Sequence, residues 1–296
     1  MSTSKPPTPA ALERSIDAGV LPPEDLTTTL EVALEAGRQA GEALLEGYRR
    51  PGEIRKKGVI DLVTDFDLRA ERIVRERLVA AFPTHRIVAE EASSDEEARA
   101  AASEELVWYV DPLDGTTNFA HGHPFFCVAI ALCRGDDPIL GVIVAPALGH
   151  QWHAGRGLGA FRDGQPCLVS QTTTLSESLG ATGFPYDKWE NPDRNVVELE
   201  GFLRRTRGIR RCGSAALDLA LVADGTYDFY WENRLKPWDL SAGAAIVLEA
   251  GGMTSDYQGG AFLPTEGQIV ATNGQLHAEV LATLGHARSG GAVKNL

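Results

Sequence analysis

Two stretches near the start of the chain repeat apolar residues at helical spacing. The first covers residues 26–50 and is followed by Pro51 and Gly52, and the second covers about 64–82, before Pro83. Apolar residues that recur every three or four positions lie on one side of a helix, and a proline after them ends it. The pattern therefore predicts two amphipathic helices that each turn one side toward a core.

After the second helix the apolar residues fall into the short alternating or continuous runs that are typical of strands. Strands are predicted over 86–89, 106–110, 125–133, 139–145, 151–154 and 160–162. Polar turns over 134–137 and at Asp163-Gly164 favour hairpins between the later runs. The first half of the chain is expected to form two helices followed by a largely antiparallel sheet.

Strands and helices alternate in the second half of the chain. Predicted strands cover 178–182, 209–211, 227–231 and 269–272, and predicted helices cover 192–205, 215–223, 239–250 and 275–284. Such alternation indicates a sheet with helices packed on it. The whole chain is interpreted as a layered α/β (α+β) fold. We expect a disordered tail over 1–25, an N-terminal α+β part over 26–170 and a C-terminal α/β part over 171–296.

The charge balance narrows the possible partners. The chain has 28 Lys and Arg against 41 Asp and Glu, which gives a formal net charge of −13. Because general binding to a nucleic-acid backbone or an anionic membrane surface needs clustered positive charge, neither partner is expected. The 4 cysteines form no Cys-x-x-Cys pair, and no apolar run approaches the roughly 18 residues that span a bilayer. Without a signal-peptide core at the N-terminus, a reduced cytoplasmic protein is predicted.

The segment after the strand over 106–110 is the strongest candidate for chemistry. Asp111 and Asp114 stand three residues apart, Pro112 fixes the turn between them, and Gly115 permits a tight bend before Thr116, where a helix can begin. Two carboxylates and a backbone carbonyl in this arrangement can surround a hard cation, and the amides beyond them can hold an anion. A solvated Asp-Pro/Asp-Gly turn is the alternative, and the segment by itself leaves both open.

Two more acidic segments lie upstream. Glu90 and Glu91 leave the strand over 86–89, where a solvated loop is the simpler interpretation. The segment 61–67 places Thr64 as a helix N-cap with acids in the first turn, which is a complete structural explanation. That explanation leaves the neighbouring Lys56-Lys57 pair without a role.

The second half contributes two candidates. Glu232 ends an aromatic strand, and Asp239 follows seven residues later, where the role of a helix N-cap is the simpler interpretation. Gly213 and Ser214 form a turn that opens another helix, and the free amides of such a turn can hold a polar ligand.

Together and in this order, the motifs resemble those of the inositol monophosphatase family over roughly residues 26 to 285. The two signature motifs are Asp111-Pro112-Leu113-Asp114-Gly115-Thr116-Thr117-Asn118-Phe119 and Trp238-Asp239-Leu240-Ser241-Ala242-Gly243. The supporting motifs are Asp61-Leu62-Val63-Thr64 with Asp67, Glu90-Glu91, Gly213-Ser214-Ala215-Ala216 and Glu232. The resemblance implies an αβαβα sandwich of two sheets with helix layers. It also implies a magnesium-dependent, lithium-sensitive phosphomonoesterase that is usually a homodimer.

The same resemblance implies a role for each candidate residue. Two Mg²⁺ ions, with a third and weaker one near Glu90 and Asp67, are assigned to the ligands Glu90, Asp111, the Leu113 carbonyl, Asp114 and Asp239. Asp67 orients Thr116, which holds the attacking water, and the catalytic set also includes Glu90 and Lys57. Lys57 is preferred over Lys56 because Lys57-Gly58 is the commoner approach to the motif. The substrate contacts are assigned to Gly115, Thr116, Gly213, Ser214, Ala215, Glu232 and Asp239.

Magnesium suits this reaction because it can lower the pKa of an attacking water and neutralise the charge that develops on a leaving oxygen. The leading hypothesis is hydrolysis of the phosphate monoester of a small polyol, with inositol monophosphate first. Glu232 favours a neutral polyol, although Arg234 and Lys236 weaken that argument. Fructose 1,6-bisphosphate, histidinol phosphate or a nucleotide 3′-phosphate, which related enzymes take, are alternative substrates. A regulatory binding protein is the non-enzymatic alternative, and the complete set of acids disfavours it.

Overall fold

The first helices of the protein follow its apolar stripes. The structure, a computed structural model, describes residues 23–50, 54–56, 62–100, 106–185, 187–191 and 193–290. In it, α1 (Pro23–Gly47) and α2 (Asp65–Ala81) cover the two predicted helical stretches. A two-stranded antiparallel pair, β1 (Ile54–Lys56) and β2 (Leu62–Thr64), precedes α2. Strands of three residues are too short to give an apolar pattern, so the sequence did not predict this pair.

The first large sheet has seven strands that lie side by side in chain order. They are β3 (Arg86–Ala89), β4 (Leu106–Asp114), β5 (Cys127–Arg134), β6 (Asp137–Ala145), β7 (His150–Gly155), β8 (Gly159–Arg162) and β9 (Gln165–Pro166). β3 is parallel to β4, and every later pair of neighbours is antiparallel. Two short helices, α3 (Asp95–Ala100) and α4 (Thr116–Ala120), follow β3 and β4.

The second large sheet has five strands. They are β10 (Leu179–Thr182), β11 (Gly208–Arg210), β12 (Phe229–Asn233), β13 (Met253–Ser255) and β14 (Gln268–Thr272). Across the sheet they run in the order β11-β10-β12-β14-β13, with β10 parallel to both its neighbours and β14 antiparallel to both of its own. The helices of this half are α5 (Val196–Leu203), α6 (Ala215–Ala223), α7 (Pro237–Glu249) and α8 (His277–Arg288).

The sheets and helices stack in five layers. α1 and α2 cover one face of the seven-stranded sheet, α6 and α7 lie between the two sheets, and α5 and α8 cover the outer face of the five-stranded sheet. The central contact is close, because a Cβ on Gly141 of β6 would lie 2.2 Å from the Ala242 carbonyl oxygen of α7. The predicted αβαβα sandwich is confirmed. None of the helices in the described ranges combines the length and the apolar character that crossing a bilayer requires, and the 4 cysteines are free.

β4 does not end at Val110 as predicted but continues to Asp114. Asp111 pairs with Ala129 and Asp114 pairs with Cys127, so Pro112 and Leu113 together lie opposite the single residue Val128. This is a β-bulge, in which one strand carries an extra residue. Because Cys127 and Ala129 are two residues apart on β5, their partners Asp111 and Asp114 lie on the same face of the sheet.

The starts of α5 and α7 also differ from the prediction. α5 begins at Val196 instead of 192, because Asn195 before it has a left-handed φ of 61° and its buried amide donates to Thr182 Oγ1 at 2.6 Å and to Gly183 O at 2.8 Å. This residue ties the chain to the end of β10 and does not form a helical turn. α7 begins at Pro237, where the ring of proline suits the first helical position.

Candidate active site

The predicted metal ligands meet at one cavity of about 350 Å³. Its lining includes all five of them: Glu90, Asp111, Leu113, Asp114 and Asp239. Glu90 follows β3, the next three residues belong to the bulge of β4, and Asp239 lies in the first turn of α7. Segments from both halves of the chain therefore form one acidic site.

The parallel pairing of β3 and β4 brings Glu90 beside Asp111. Ala89 is in register with Val110, and the Glu90 N–H donates to the Val110 carbonyl at 3.1 Å. Asp111 is 2 % exposed, and its Oδ1 accepts the Leu113 N–H at 2.9 Å. The Asp111 carboxylate is thus directed by the bulge itself.

Asp114 is held by the second half of the chain. Its Oδ2 accepts the Ser214 hydroxyl at 2.6 Å and the Ala216 N–H at 2.7 Å. Burial raises the pKa of Asp114 to about 6, although these two hydrogen bonds act in the opposite direction. The described lining of the cavity does not include Gly213, Ser214 or Ala215, so their assignment to substrate contacts stays a prediction.

Asp239 is the third residue of α7 and not its N-cap. The N-cap is Lys236, whose backbone N–H donates to Asp239 Oδ2 at 2.8 Å. Pro237 at the first helical position moves the helix start two residues upstream of the predicted one. The carboxylate is fixed at the cavity by the helix that carries it.

The carboxylates of this site raise one another's pKa values. Burial raises the pKa of Asp111 well above its ordinary value, and the charges of Glu90, Asp114 and Asp239 raise it further. Burial likewise raises the pKa of Asp239, together with the charges of Asp114 and Glu90. Among the salt bridges of the described residues, none involves Asp111, Asp114 or Asp239. Acids gathered in this way around the buried Asp111 are typical of a site for a divalent cation.

No three His, Cys, Asp or Glu side chains in the described ranges form a ready-made set for one ion. A magnesium site does not require such a set, because Mg²⁺ keeps several waters and accepts backbone carbonyls beside one or two carboxylates. The oxygen donors present, two or more carboxylates and the Leu113 carbonyl, fit that chemistry. Soft metals that select thiolate or imidazole would not be favoured by these ligands.

Thr116 and Asp67 form a pair at the edge of the cavity. Thr116 Oγ1 lies 3.1 Å from Asp67 Oδ1 and 3.0 Å from the Leu113 carbonyl oxygen. Its single hydrogen can be donated to either of these two acceptors. Asp67 Oδ2 accepts the Thr64 N–H at 2.9 Å and the Thr64 hydroxyl at 2.5 Å. Burial raises the pKa of Asp67, and the bonds from Thr64 and Thr116 oppose that change. The predicted capping role of Thr64 is confirmed, and the same acid also reaches Thr116.

Glu232, on β12, also lines the cavity. The carboxylate accepts the Tyr230 hydroxyl, and it lies so close to Gly183 that a Cβ there would stand 2.0 Å from Glu232 Oε2. Burial raises the pKa of Glu232 to about 7, while Tyr230 and the positive charges of Arg211 and Lys188 lower it. A carboxyl at this position can hydrogen-bond polar groups of a ligand in the cavity.

Two residues that the sequence did not single out complete the surroundings. The Asn118 amide donates to the Phe125 carbonyl at 2.6 Å and the Cys212 carbonyl at 2.8 Å, which joins the turn after β4 to the loop before α6. Asp218 of α6 is 1 % exposed, and its Oδ1 has no hydrogen-bond partner among the described residues. Burial, with the charges of Glu232 and Asp114, raises its pKa well above the ordinary value. In the sequence, Asn118 was part of the signature motif, and no motif included Asp218.

Part of the predicted site is outside the described residues. Lys57 and Asp61 are among the residues that are not described, so the assignment of Lys57 to catalysis stays a prediction. Beside the acidic cavity lies a larger one of about 710 Å³, which shares Pro185, Arg234, Leu235 and Lys236 with it. The described lining of the larger cavity contains none of the predicted site residues.

The fold is that of a class of phosphoric monoester hydrolases, as comparison with known proteins shows. The family model described as the inositol monophosphatase family matches residues 25–289. The chain therefore belongs to the inositol monophosphatase family, whose members generally depend on a metal ion.

Individual relatives agree with this assignment. The inositol-1-monophosphatase of Synechocystis sp. is 41% identical over 266 residues, which cover 90% of this chain and 91% of that one. The Nus factor SuhB of Pseudomonas aeruginosa is 39% identical over 259 residues, covering 86% of this chain and 95% of that one. The solved structure of inositol monophosphatase from Anabaena (Nostoc) sp. PCC 7120 superposes with a TM-score of 0.79 at 40% identity, covering 89% of this chain and 97% of that one.

Proposed function

We propose that the protein is a Mg²⁺-dependent phosphatase that hydrolyses phosphate monoesters of small polyols, with inositol monophosphate as the leading substrate. The observation that supports it is the gathering of buried Asp111 with the half-buried Asp114 and Asp239 at one cavity beside the Thr116–Asp67 pair. Glu90, Asp111, the Leu113 carbonyl, Asp114 and Asp239 would hold the cations, and Asp111 would contribute to both. Bound Mg²⁺ supplies Lewis acidity that lowers the pKa of the attacking water and neutralises the leaving oxygen.

The residues of the chain orient the attacking water. When the Thr116 hydroxyl donates its hydrogen to Asp67, the lone pairs of Thr116 Oγ1 are left to accept a hydrogen from a water. That bond turns a lone pair of the water toward the phosphorus for in-line attack. The amides of Gly115 and Thr116 hold oxygens of the phosphate. Direct attack by water forms no phosphorylated enzyme.

The leaving alcohol faces Glu232. The Glu232 carboxylate accepts hydrogen bonds from hydroxyls of the alcohol, which favours a polyhydroxy leaving group over an apolar one. Gly213, Ser214 and Ala215 complete this side, and Lys57 completes the phosphate side. Arg234 also lines the cavity, but its guanidinium forms a salt bridge with Asp187, which favours a neutral polyol over a second phosphate there.

The test is a panel of substrates with purified protein. Inositol monophosphate should be hydrolysed faster than fructose 1,6-bisphosphate, histidinol phosphate and a nucleotide 3′-phosphate at equal concentration. Activity should require millimolar Mg²⁺, disappear in excess EDTA and fall when Li⁺ is added. Full activity in EDTA would refute the metal mechanism, and no turnover of any ester would leave a regulatory binding protein as the function.

We also propose a homodimer, which the resemblance to the family supports, and a location in the cytoplasm. Light scattering after size-exclusion chromatography should give twice the chain mass of 31.8 kDa. A monomeric mass at micromolar concentration would contradict the dimer.

A further inference from the structure

α2 presents two buried acids on one side. Asp67 and Glu71 are four residues apart, so they lie on the same face of the helix, and both are buried. Asp67 contacts Thr116, as described above. Glu71 instead contacts the turn after β3, where its Oε2 accepts the Glu91 N–H at 2.8 Å.

This hydrogen bond holds the peptide group that follows Glu90. The peptide group on the other side is also held, because the Glu90 N–H donates to the Val110 carbonyl at 3.1 Å. Each peptide group is planar, so fixing both fixes the direction in which the side chain leaves the Glu90 Cα. The charge of Glu90 then lies near enough to Asp111 to raise the pKa of that acid.

We propose that Glu71 is a positioning residue that holds Glu90 in the orientation needed to ligate the divalent cation. The inference rests on the proposed function. Glu71 supplies the oxygen that accepts the Glu91 N–H, and residues that orient a metal ligand typically contribute 10–100-fold to metal affinity. One helix thereby sets two parts of the site, the Thr116 hydroxyl through Asp67 and the Glu90 carboxylate through Glu71.

The experiment measures Mg²⁺ binding to the full chain by isothermal titration calorimetry, without substrate. Glu71→Met keeps the length and helix propensity of the side chain but has no oxygen acceptor, and Glu71→Gln keeps a carbonyl acceptor. We expect Glu71→Met to weaken Mg²⁺ binding by at least about tenfold and Glu71→Gln to bind within about threefold of wild type. Glu76→Met, on the exposed side of the same helix, is the matched control and should bind like wild type.

Unchanged affinity in Glu71→Met would overturn the positioning role while leaving the proposed function intact. An equal loss in Glu71→Gln would also overturn it, because the charge and not the acceptor would then matter. Wild-type protein that binds no Mg²⁺ would refute the proposed function together with this inference. If Glu71→Met does not fold, hydrogen exchange of the Glu91 amide in the metal-free wild type tests whether its bond to Glu71 exists. Protection from exchange supports the hydrogen bond, and exchange at the rate of an unstructured peptide refutes it.

Discussion

Glu232 makes the stability of the metal-free protein depend on pH. The side chain is 6 % exposed, and burial raises its pKa to about 7, against an ordinary value of 4.5. Because the folded-state pKa is raised, Glu232 keeps its proton in the folded protein at pH values between 4.5 and about 7, where the unfolded chain has already released it. The stability that protonated Glu232 contributes is therefore present below pH 4.5 and is lost as the pH rises through about 7.

The size of this loss follows from the two pKa values. A change from 4.5 to about 7 corresponds to about 3 kcal/mol of folding free energy. Glu232→Gln removes the titration and leaves the shape of the side chain unchanged. Relative to wild type, the free energy of unfolding of the variant should rise by about 3 kcal/mol between pH 4.5 and pH 8, and then level off.

Urea unfolding followed by circular dichroism, in EDTA and at several pH values, measures this difference. Glu279→Gln makes the same exchange at an exposed acid of α8 and serves as the control for replacing a carboxylate by an amide. A difference between Glu232→Gln and wild type that stays constant within about 1 kcal/mol from pH 4.5 to pH 8 would refute the reasoning. It would mean that Glu232 ionises in the folded protein as readily as in the unfolded chain.

Three other substitutions test separate parts of the structure. Asp111→Asn should lower kcat by more than tenfold, worth about 1.4 kcal/mol of barrier, with an unchanged circular dichroism spectrum, and a smaller loss would contradict its bridging role. Asn118→Asp places a carboxylate, which cannot donate, against the carbonyls of Phe125 and Cys212. The free energy of unfolding measured in urea should therefore fall by about 1–3 kcal/mol. His277 is buried, and burial lowers its pKa, so its neutral form stabilises the fold above the ordinary value of about 6.5 and this stability is lost as the pH falls. Thermal melting at pH 5 and pH 7 should therefore show less acid destabilisation in His277→Gln than in wild type.

The parts of the protein that the sequence could predict depend on local patterns. α1 and α2 follow from apolar residues at helical spacing, and the turns near 134–137 and 163–164 follow from polar and glycine residues. The acids at 111 and 114 stand in one short motif, so their proximity did not depend on the rest of the fold. Their placement at a cavity with Glu90 and Asp239 agrees with the resemblance to the family.

The contacts that join distant segments could not be derived from local patterns. Ser214 and Asp114 are 100 residues apart, and their hydrogen bond depends on how α6 lies between the sheets. Asn195 adopts a left-handed conformation because it is tied to Thr182, and no helical signal near it reports this. The bulge of β4 depends on the register with β5, which the alternation of one strand does not determine.

The extra residue in β4 determines which kinds of mutation can test the role of the Leu113 carbonyl. If Leu113 were deleted, Asp111 and Asp114 would still share one face as neighbours two apart in a regular strand, but the Leu113 carbonyl, which accepts the Thr116 hydroxyl, would be gone. Replacing the Leu113 side chain leaves that oxygen in place, because every amino acid carries the same main chain. A scan of single substitutions would thus miss one proposed ligand entirely, and a one-residue deletion would reveal it.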